Sequence, residues 1–328
     1  MPVVSTVRGP AGHPQRRLGL GIVLGLATSL TFATSGTFVR PLLTAGWTPA
    51  AAVLWRVVAA SVLLLPLGLW TMRGRFAIIV REWKLIVAFG VLAVATAQGM
   101  YFAAVSRMSV SVALLLEYMA PVALVLLAWV RHRRAPSPLV LGGSAASVIG
   151  LFAVLDLTGA RLDPLGVLFG FGAMVGAAAY FVLGARPTEL PTLALPAFGL
   201  PIGALALGTL IATGVLPYAA PLVSVPLMGA EVPWWLPLSI VVVFATAAAY
   251  VLGVASIAVM GERLASFVSL SEVLFAALVA AVVLGEIPTA MQLVGGGLIV
   301  VGVILIRLSS SAAIGLPNAV EELEASHR

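Results

Sequence analysis

The 328-residue chain contains no cysteine, a single lysine and three histidines, and only 9% of its residues are charged. The first absence excludes disulfides and thiolate metal sites and leaves the redox compartment unreadable. With His13, His132 and His327 all outside the long apolar segments, no His/Cys metal cluster can assemble. Lys84 stands in REWKL and not in a phosphate-binding loop, so no ATP-hydrolysing site is encoded. GLGIVLG at 19–25 lacks the spacing and the preceding strand of a dinucleotide loop and reads as helix packing. No cofactor is implied. The scarcity of charge also excludes an ordinary soluble domain, in which about 25% of residues are charged.

What the chain does have is apolar length. Hydrophobic residues make up 61% of it, in blocks of about 20, the length of helix that crosses roughly 30 Å of hydrocarbon. Ten membrane-spanning helices are expected, near 18–40, 50–70, 85–105, 109–130, 138–156, 164–185, 190–216, 237–258, 264–284 and 289–308. The first follows Arg8, Arg16 and Arg17. Its apolar run is longer than the roughly 7–15 residues of a signal-peptide core, so it reads as a retained helix. Residues 1–17 form a short N-terminal segment, and residues 309–328, with Glu321, Glu322 and Glu324, read as an acidic, solvated, unstructured tail. The fold class is an all-α polytopic membrane protein.

Charge orients it. With the N-terminus in the cytoplasm, that side receives Arg73, Arg75, Arg81, Lys84, Arg131, Arg133, Arg134, Arg186, Arg263, Arg307 and Arg328 besides the N-terminal arginines. The outer side receives only Arg40, Arg107 and Arg161. The positive-inside rule favours this arrangement, with both termini cytoplasmic in a cell (plasma or inner) membrane. The net charge of +6 therefore reports orientation in the bilayer and not nucleic-acid binding. Trp70, Trp83 and Trp129 fall near inner helix ends and Trp47, Trp234 and Trp235 near outer ones, as an interfacial belt.

Residues 129–150, WVRHRRAPSPLVLGGSAASVIG, align with AVVLGEIPTAMQLVGGGLIVVG at 281–302, a spacing of 152. Pro136, Gly143 and Gly150 fall on Pro288, Gly295 and Gly302, whereas Arg131, Arg133 and Arg134 fall on Val283, Gly285 and Glu286. Two five-helix halves explain the difference. An odd number of helices inverts the second copy, so one loop is cytoplasmic and basic while its counterpart lies outside. Gly142, Gly143, Ala146, Gly295 and Gly302 are expected to let helices approach closely.

VALLLEYMAPVALVLLAWV (112–130), DPLGVLFGFGAMVGAAAYFVL (163–183) and above all residues 261–308, beginning GERLASFVSLSEVLFAALVAAVVLGEIP, resemble the EamA-type transporters of the drug/metabolite transporter superfamily. The resemblance extends over about residues 18–308. It implies two inverted five-helix repeats, 18–156 and 164–308, both termini cytoplasmic, and export of small metabolites. LEYMAP, with Glu117, resembles the LEFxGP segment of the amino-acid-exporting branch. Two departures stand out: Glu272-Val273 replaces a common Glu-Pro, and Arg134 replaces a common acidic residue.

Charge in hydrocarbon costs about 2.5–3.5 kcal/mol even on lenient scales, so intramembrane polar groups need a compensating role. Glu117 and Glu272 each lie about 12 Å inside their helices at 1.5 Å per residue, from opposite faces. In the repeat register Glu117 matches Ser269 and Glu272 matches Ala120, so the carboxyls sit one turn apart on one helical face. Glu117 reads equally as a hydrogen-bonded structural group or as a proton carrier. Ser269 and Ser271 tilt Glu272 towards the structural role, and Tyr118 and Pro121 mark a turn distortion beside Glu117. Arg56, about 9 Å inside the second helix, could bind a substrate carboxylate or pair with Glu117, but its retention across the unlike transporters it resembles favours a structural role. Gln98 and Tyr250 share a repeat position, and Tyr101, Tyr118 and Tyr180 add amphipathic groups that could line a pathway for a zwitterionic or aromatic solute.

These features point to a secondary transporter working by alternating access, not an enzyme, with the lipid bilayer and a small-molecule substrate as partners; self-association into a homo-oligomer stays open. The alternatives are an intramembrane enzyme on a lipid or isoprenoid substrate, using Glu117 and Glu272 as acid and base, a lipid-linked flippase, or a scaffold using the proline-rich segment from Pro217 to Pro237.

Overall fold

The computed structural model describes residues 14–133, 135–155, 157, 163–285 and 289–326, with side chains described between 18 and 309 except that of Leu284. Hydrocarbon offers no hydrogen bonds, so every backbone group must be satisfied within its own segment, and apolar stretches of this length fold as helices. They are α1 (Pro14–Thr44), α2 (Pro49–Thr71), α3 (Trp83–Val105), α4 (Val110–His132), α5 (Pro138–Val154), α6 (Pro164–Gly184), α7 (Ala194–Ala212), α8 (Trp235–Ser269), α9 (Ser271–Leu284) and α10 (Ala290–Ser326). Eight are long and apolar enough to cross a membrane, and α5 and α9 are shorter apolar helices. Arg8, Arg134, Arg161, Glu286, Pro288 and Arg328 lie outside the described residues.

The two halves repeat each other in local geometry. Gly261 interrupts α8 with φ 76° and ψ 167°, so residues 262–269 run into α9 as the counterpart of α4. Both fourth helices are broken at the middle, at Tyr118-Met119 and at Leu270. Both third helices contain a π-helical stretch, Phe89–Thr96 in α3 and Val243–Ala248 in α8. π-Bulges are costly and recur mainly at functional sites. The fourth helices end on left-handed residues 152 apart, Arg133 (φ 51°) and Gly285 (φ 72°). The fifth begin with matching caps: Ser137 accepts from the Val140 N–H and Thr289 from the Gln292 N–H. The geometry of the helix ends is thus shared where loop charge is not.

Packing repeats as well. Gly21 and Gly25 of α1 lie against Met260 and Val268, while Gly166 and Gly170 of α6, 145 positions on, lie against Met108 and Leu116. Those two precede Met260 and Val268 by 152, so first helices align at 145 and later ones at 152. Each repeat's first helix therefore packs on the third and fourth helices of the other. The fifth helices pair across a pseudo-two-fold: a Cβ on Gly143 would fall 2.8 Å from the Gly302 carbonyl, and one on Gly295 would fall 2.6 Å from the Gly150 carbonyl. Gly142, expected to share this role, has nothing within 4 Å of its Cβ position and is exposed, about 100° around the helix from Gly143.

Two expectations need revision. The tail is helical through Ser326, continuing α10, because AVEELEA is rich in strong helix formers. Trp47 is 3% exposed and not part of an interfacial belt. It makes tilted ring contacts with Trp55 and Trp234 and donates from Nε1 to the Pro221 carbonyl at 2.8 Å. The segment between α7 and α8 that covers it carries a β-hairpin, β1 (Val225–Leu227) paired antiparallel with β2 (Ala230–Val232). Positive φ at both Met228 and Gly229 gives the hairpin turn that matches strand twist.

The glycine contacts carry a prediction. Gly143→Val forces a methyl group into the α10 backbone and should cost about 1–3 kcal/mol, seen as a lower thermal midpoint of the detergent-solubilised protein. Gly142→Val should leave that midpoint unchanged; equal losses would refute the pairing.

Candidate functional site

A cavity of about 700 Å³ lies between the two repeats, within the size range of small-molecule sites. Arg56, Gln98, Tyr101, Glu117, Tyr118, Tyr180, Tyr250 and Glu272 all line it. They arrive on six helical segments far apart in the chain, and the helix crossings described above bring them together.

The cavity's floor and walls follow from how the fourth helices break. Pro121 has no N–H, so the helix cannot continue through the carbonyl of Glu117. The chain tightens instead, with the Met119 N–H donating to the Leu116 carbonyl at 3.2 Å. The second repeat has Val273 in place of that proline, and serines do the corresponding work. Ser271 donates to the Val268 carbonyl at 2.7 Å, Ser29 of α1 donates to the same carbonyl at 3.4 Å, and Ser269 donates to the Ser266 carbonyl at 2.7 Å. Glu117 therefore closes the last turn of one half-helix, where carbonyls point at it. Glu272 sits in the first turn of another, where N–H groups do. Tyr118 and Glu272, from different repeats, both line the cavity and interact across it.

Arg56 is buried and held from both sides. Nη1 donates to Ser35 Oγ at 2.9 Å and Nη2 donates to Gln98 Oε1 at 2.9 Å. The guanidinium thus ties α2 to α1 and α3 rather than forming a contact ion pair with Glu117; both glutamates act on it at longer range. Ser35 was not legible as its partner, since a serine in α1 carries no sequence signal of facing α2.

Tyr250 and Tyr180 close the inner wall with Phe89 and Phe32, as edge-on and tilted aromatic contacts with centroids 5.6 to 6.3 Å apart. The Tyr180 hydroxyl rests against Gly253, and an alanine there would displace it. Cavity-lining residues reach Leu43, Pro49 and Val110, beside the loops 45–48 and 106–109. At the opposite end Leu124, Phe181, Ile257 and Ala265 form a buried apolar plug. The lining residues beside those loops, Gly36, Leu43 and Val110, are exposed and the plug residues are buried, so the cavity opens at the loop end and is closed at the other. Among the described residues no cluster of His, Asp and Glu could hold a metal ion.

The sequence profile of the EamA-like transporter family matches residues 19–156 and 164–308. No curated protein sequence matches the chain. Nineteen chains of solved structures resemble it. One, titled only as the crystal structure of a protein, agrees with a TM-score of 0.70 at 18% identity, over 89% of this chain and 98% of the other. At that identity the likeness shows the fold alone. Two matched domains cover most of the chain, and in the structure they repeat each other's breaks, caps and glycine contacts around one shared cavity; the chain belongs to the EamA-like transporter family of the drug/metabolite transporter superfamily, and is a transporter and not an enzyme.

Proposed function

We propose that the chain is a secondary exporter of a small metabolite, such as an amino acid or related compound, and that it works by alternating access across the cell membrane. The observation that carries this reading is a cavity built by both repeats, open at one end and plugged at the other, with a guanidinium and two carboxyls within electrostatic range of one another. Such a site can hold a solute with both charges while its aromatic wall takes an apolar side chain. Proton exchange at Glu117 supplies the drive, since no nucleotide site is encoded. Glu272, in the first turn of its half-helix beside Ser269 and Ser271, is mainly structural, and Arg56 holds the first repeat together. Both termini lie in the cytoplasm, which makes the open end of the cavity extracellular. On the outer face Arg107 lies 3.8 Å from Asp163, which further weakens positive charge there.

Three outcomes test this. In vesicles, Glu117→Gln should abolish accumulation driven by a pH gradient while sparing substrate exchange at equal pH; Glu272→Gln should have a smaller effect, and normal gradient-driven accumulation by Glu117→Gln would end its role as carrier. Arg56→Gln should lower the amount of folded protein along with transport, because it leaves Ser35 and Gln98 without their buried partner. Normal abundance with weaker affinity for anionic or zwitterionic solutes alone would make it a substrate ligand instead. For orientation, a single cysteine at Ser224 should react with an impermeant thiol reagent in intact cells, and one at Ala135 only after permeabilisation; both are exposed loop positions in a chain with no native cysteine. The reverse pattern would invert the topology.

A further inference from the structure

The closed end of the cavity and its open end are built by equivalent segments of the two repeats, so the plug residues have counterparts. At the registers fixed by the glycine contacts, Leu124 corresponds to Ala276, Ile257 to Val105, Ala265 to Ala113, and Phe181 to Gly36. Gly36, Val105 and Ala276 all line the open part of the cavity, on α1, α3 and α9, the counterparts of the segments that carry the plug. We propose that these residues form the outer gate of the alternate state, and that their small size makes the state seen here, open beside loops 45–48 and 106–109, the resting one. The proposal rests on the alternating-access reading.

The physical reason is a difference in apolar burial between two equivalent closures. The plug buries a phenylalanine, a leucine and an isoleucine at 7%, 4% and 1% exposure. The opposite closure would bury a glycine, an alanine and a valine in their places, and hydrophobic stabilisation scales with the apolar area removed from water. Exchanging access between inverted repeats exchanges these two closures, so the equilibrium is biased before any substrate binds. A second asymmetry points the same way. Tyr118 and Glu272 line the cavity from different repeats and interact across it, whereas their counterparts Leu270 and Ala120 carry no polar side-chain group. The open end can accept larger residues: a Cβ on Gly36 meets nothing within 4 Å, and Ala276 is half-buried at the cavity wall.

The absence of cysteine makes the test direct. Leu114, half-buried in the cavity wall, and Ser266, its repeat counterpart and fully buried, serve as single-cysteine reporters in the purified full chain. In detergent a hydrophilic maleimide reaches both faces. Leu114→Cys should react at least about tenfold faster than Ser266→Cys, as a population bias of that order requires. Adding Gly36→Phe with Ala276→Leu, which gives the outer gate the bulk of the plug, should slow the Leu114 reporter and speed the Ser266 reporter by about the same factor. The converse pair, Phe181→Gly with Leu124→Ala, should shift both rates in the same directions by weakening the plug. If the plug pair shifts both reporters but the Gly36 pair shifts neither in a monodisperse protein, the gate lies elsewhere and the proposal fails. If the plug pair speeds Ser266 without slowing Leu114, the two ends open independently, and alternating access itself is wrong.

Discussion

Hydrocarbon supplies no hydrogen bonds, and the rest of this structure depends on that constraint. It forces the chain into helices whose backbone groups are satisfied internally, and it restricts irregular backbone to places where protein or a cavity can take over. The two mid-membrane breaks obey this restriction. One is created by Pro121 and tightened by a short-range turn, and the other is supported by Ser29, Ser269 and Ser271. Both occur where the two repeats face each other, so the freed helix ends point into a shared cavity. The same constraint explains Arg56. A guanidinium at that depth persists because Ser35 and Gln98 meet it, and in meeting it they fix three helices of the first repeat.

Close approach of helices is the second requirement, because lipid tails compete with side chains for apolar contact and only good packing favours association. The glycines meet it pairwise. Gly143 with Gly302 and Gly150 with Gly295 bring the fifth helices together, and Gly21, Gly25, Gly166 and Gly170 seat each first helix on the opposite repeat. These contacts are nearly symmetric. The cavity is not: carboxyls, arginine and large plug residues occur in one repeat without their equivalents in the other. Symmetry in the scaffold provides two related closures, and asymmetry in the lining makes them unequal.

The residues show where sequence reasoning stopped. Ten apolar helices in two repeating halves followed from composition and a 152-residue spacing, because membrane thickness acts on the chain one segment at a time. Glu117, Glu272 and Arg56 stood out for the same reason, as charges in apolar runs. The distortion beside Glu117 was visible through Pro121, but the matching break at Leu270 was not, since serine back-bonding leaves no backbone-specific signature. Trp47 was misplaced because an interfacial position and a buried one under a folded loop read alike along the chain.

By itself, then, the sequence determined that this protein crosses the membrane many times and which few polar groups lie within its apolar helices, since each of those properties is a sum over local transfer energies. Only the tertiary structure decided that eight of those groups meet in one cavity, that Arg56 bonds Ser35 and Gln98 and not Glu117, and that Phe181, Leu124 and Ile257 shut one end. Those outcomes depend on crossings between helices more than a hundred residues apart, and no local energy fixes which faces meet.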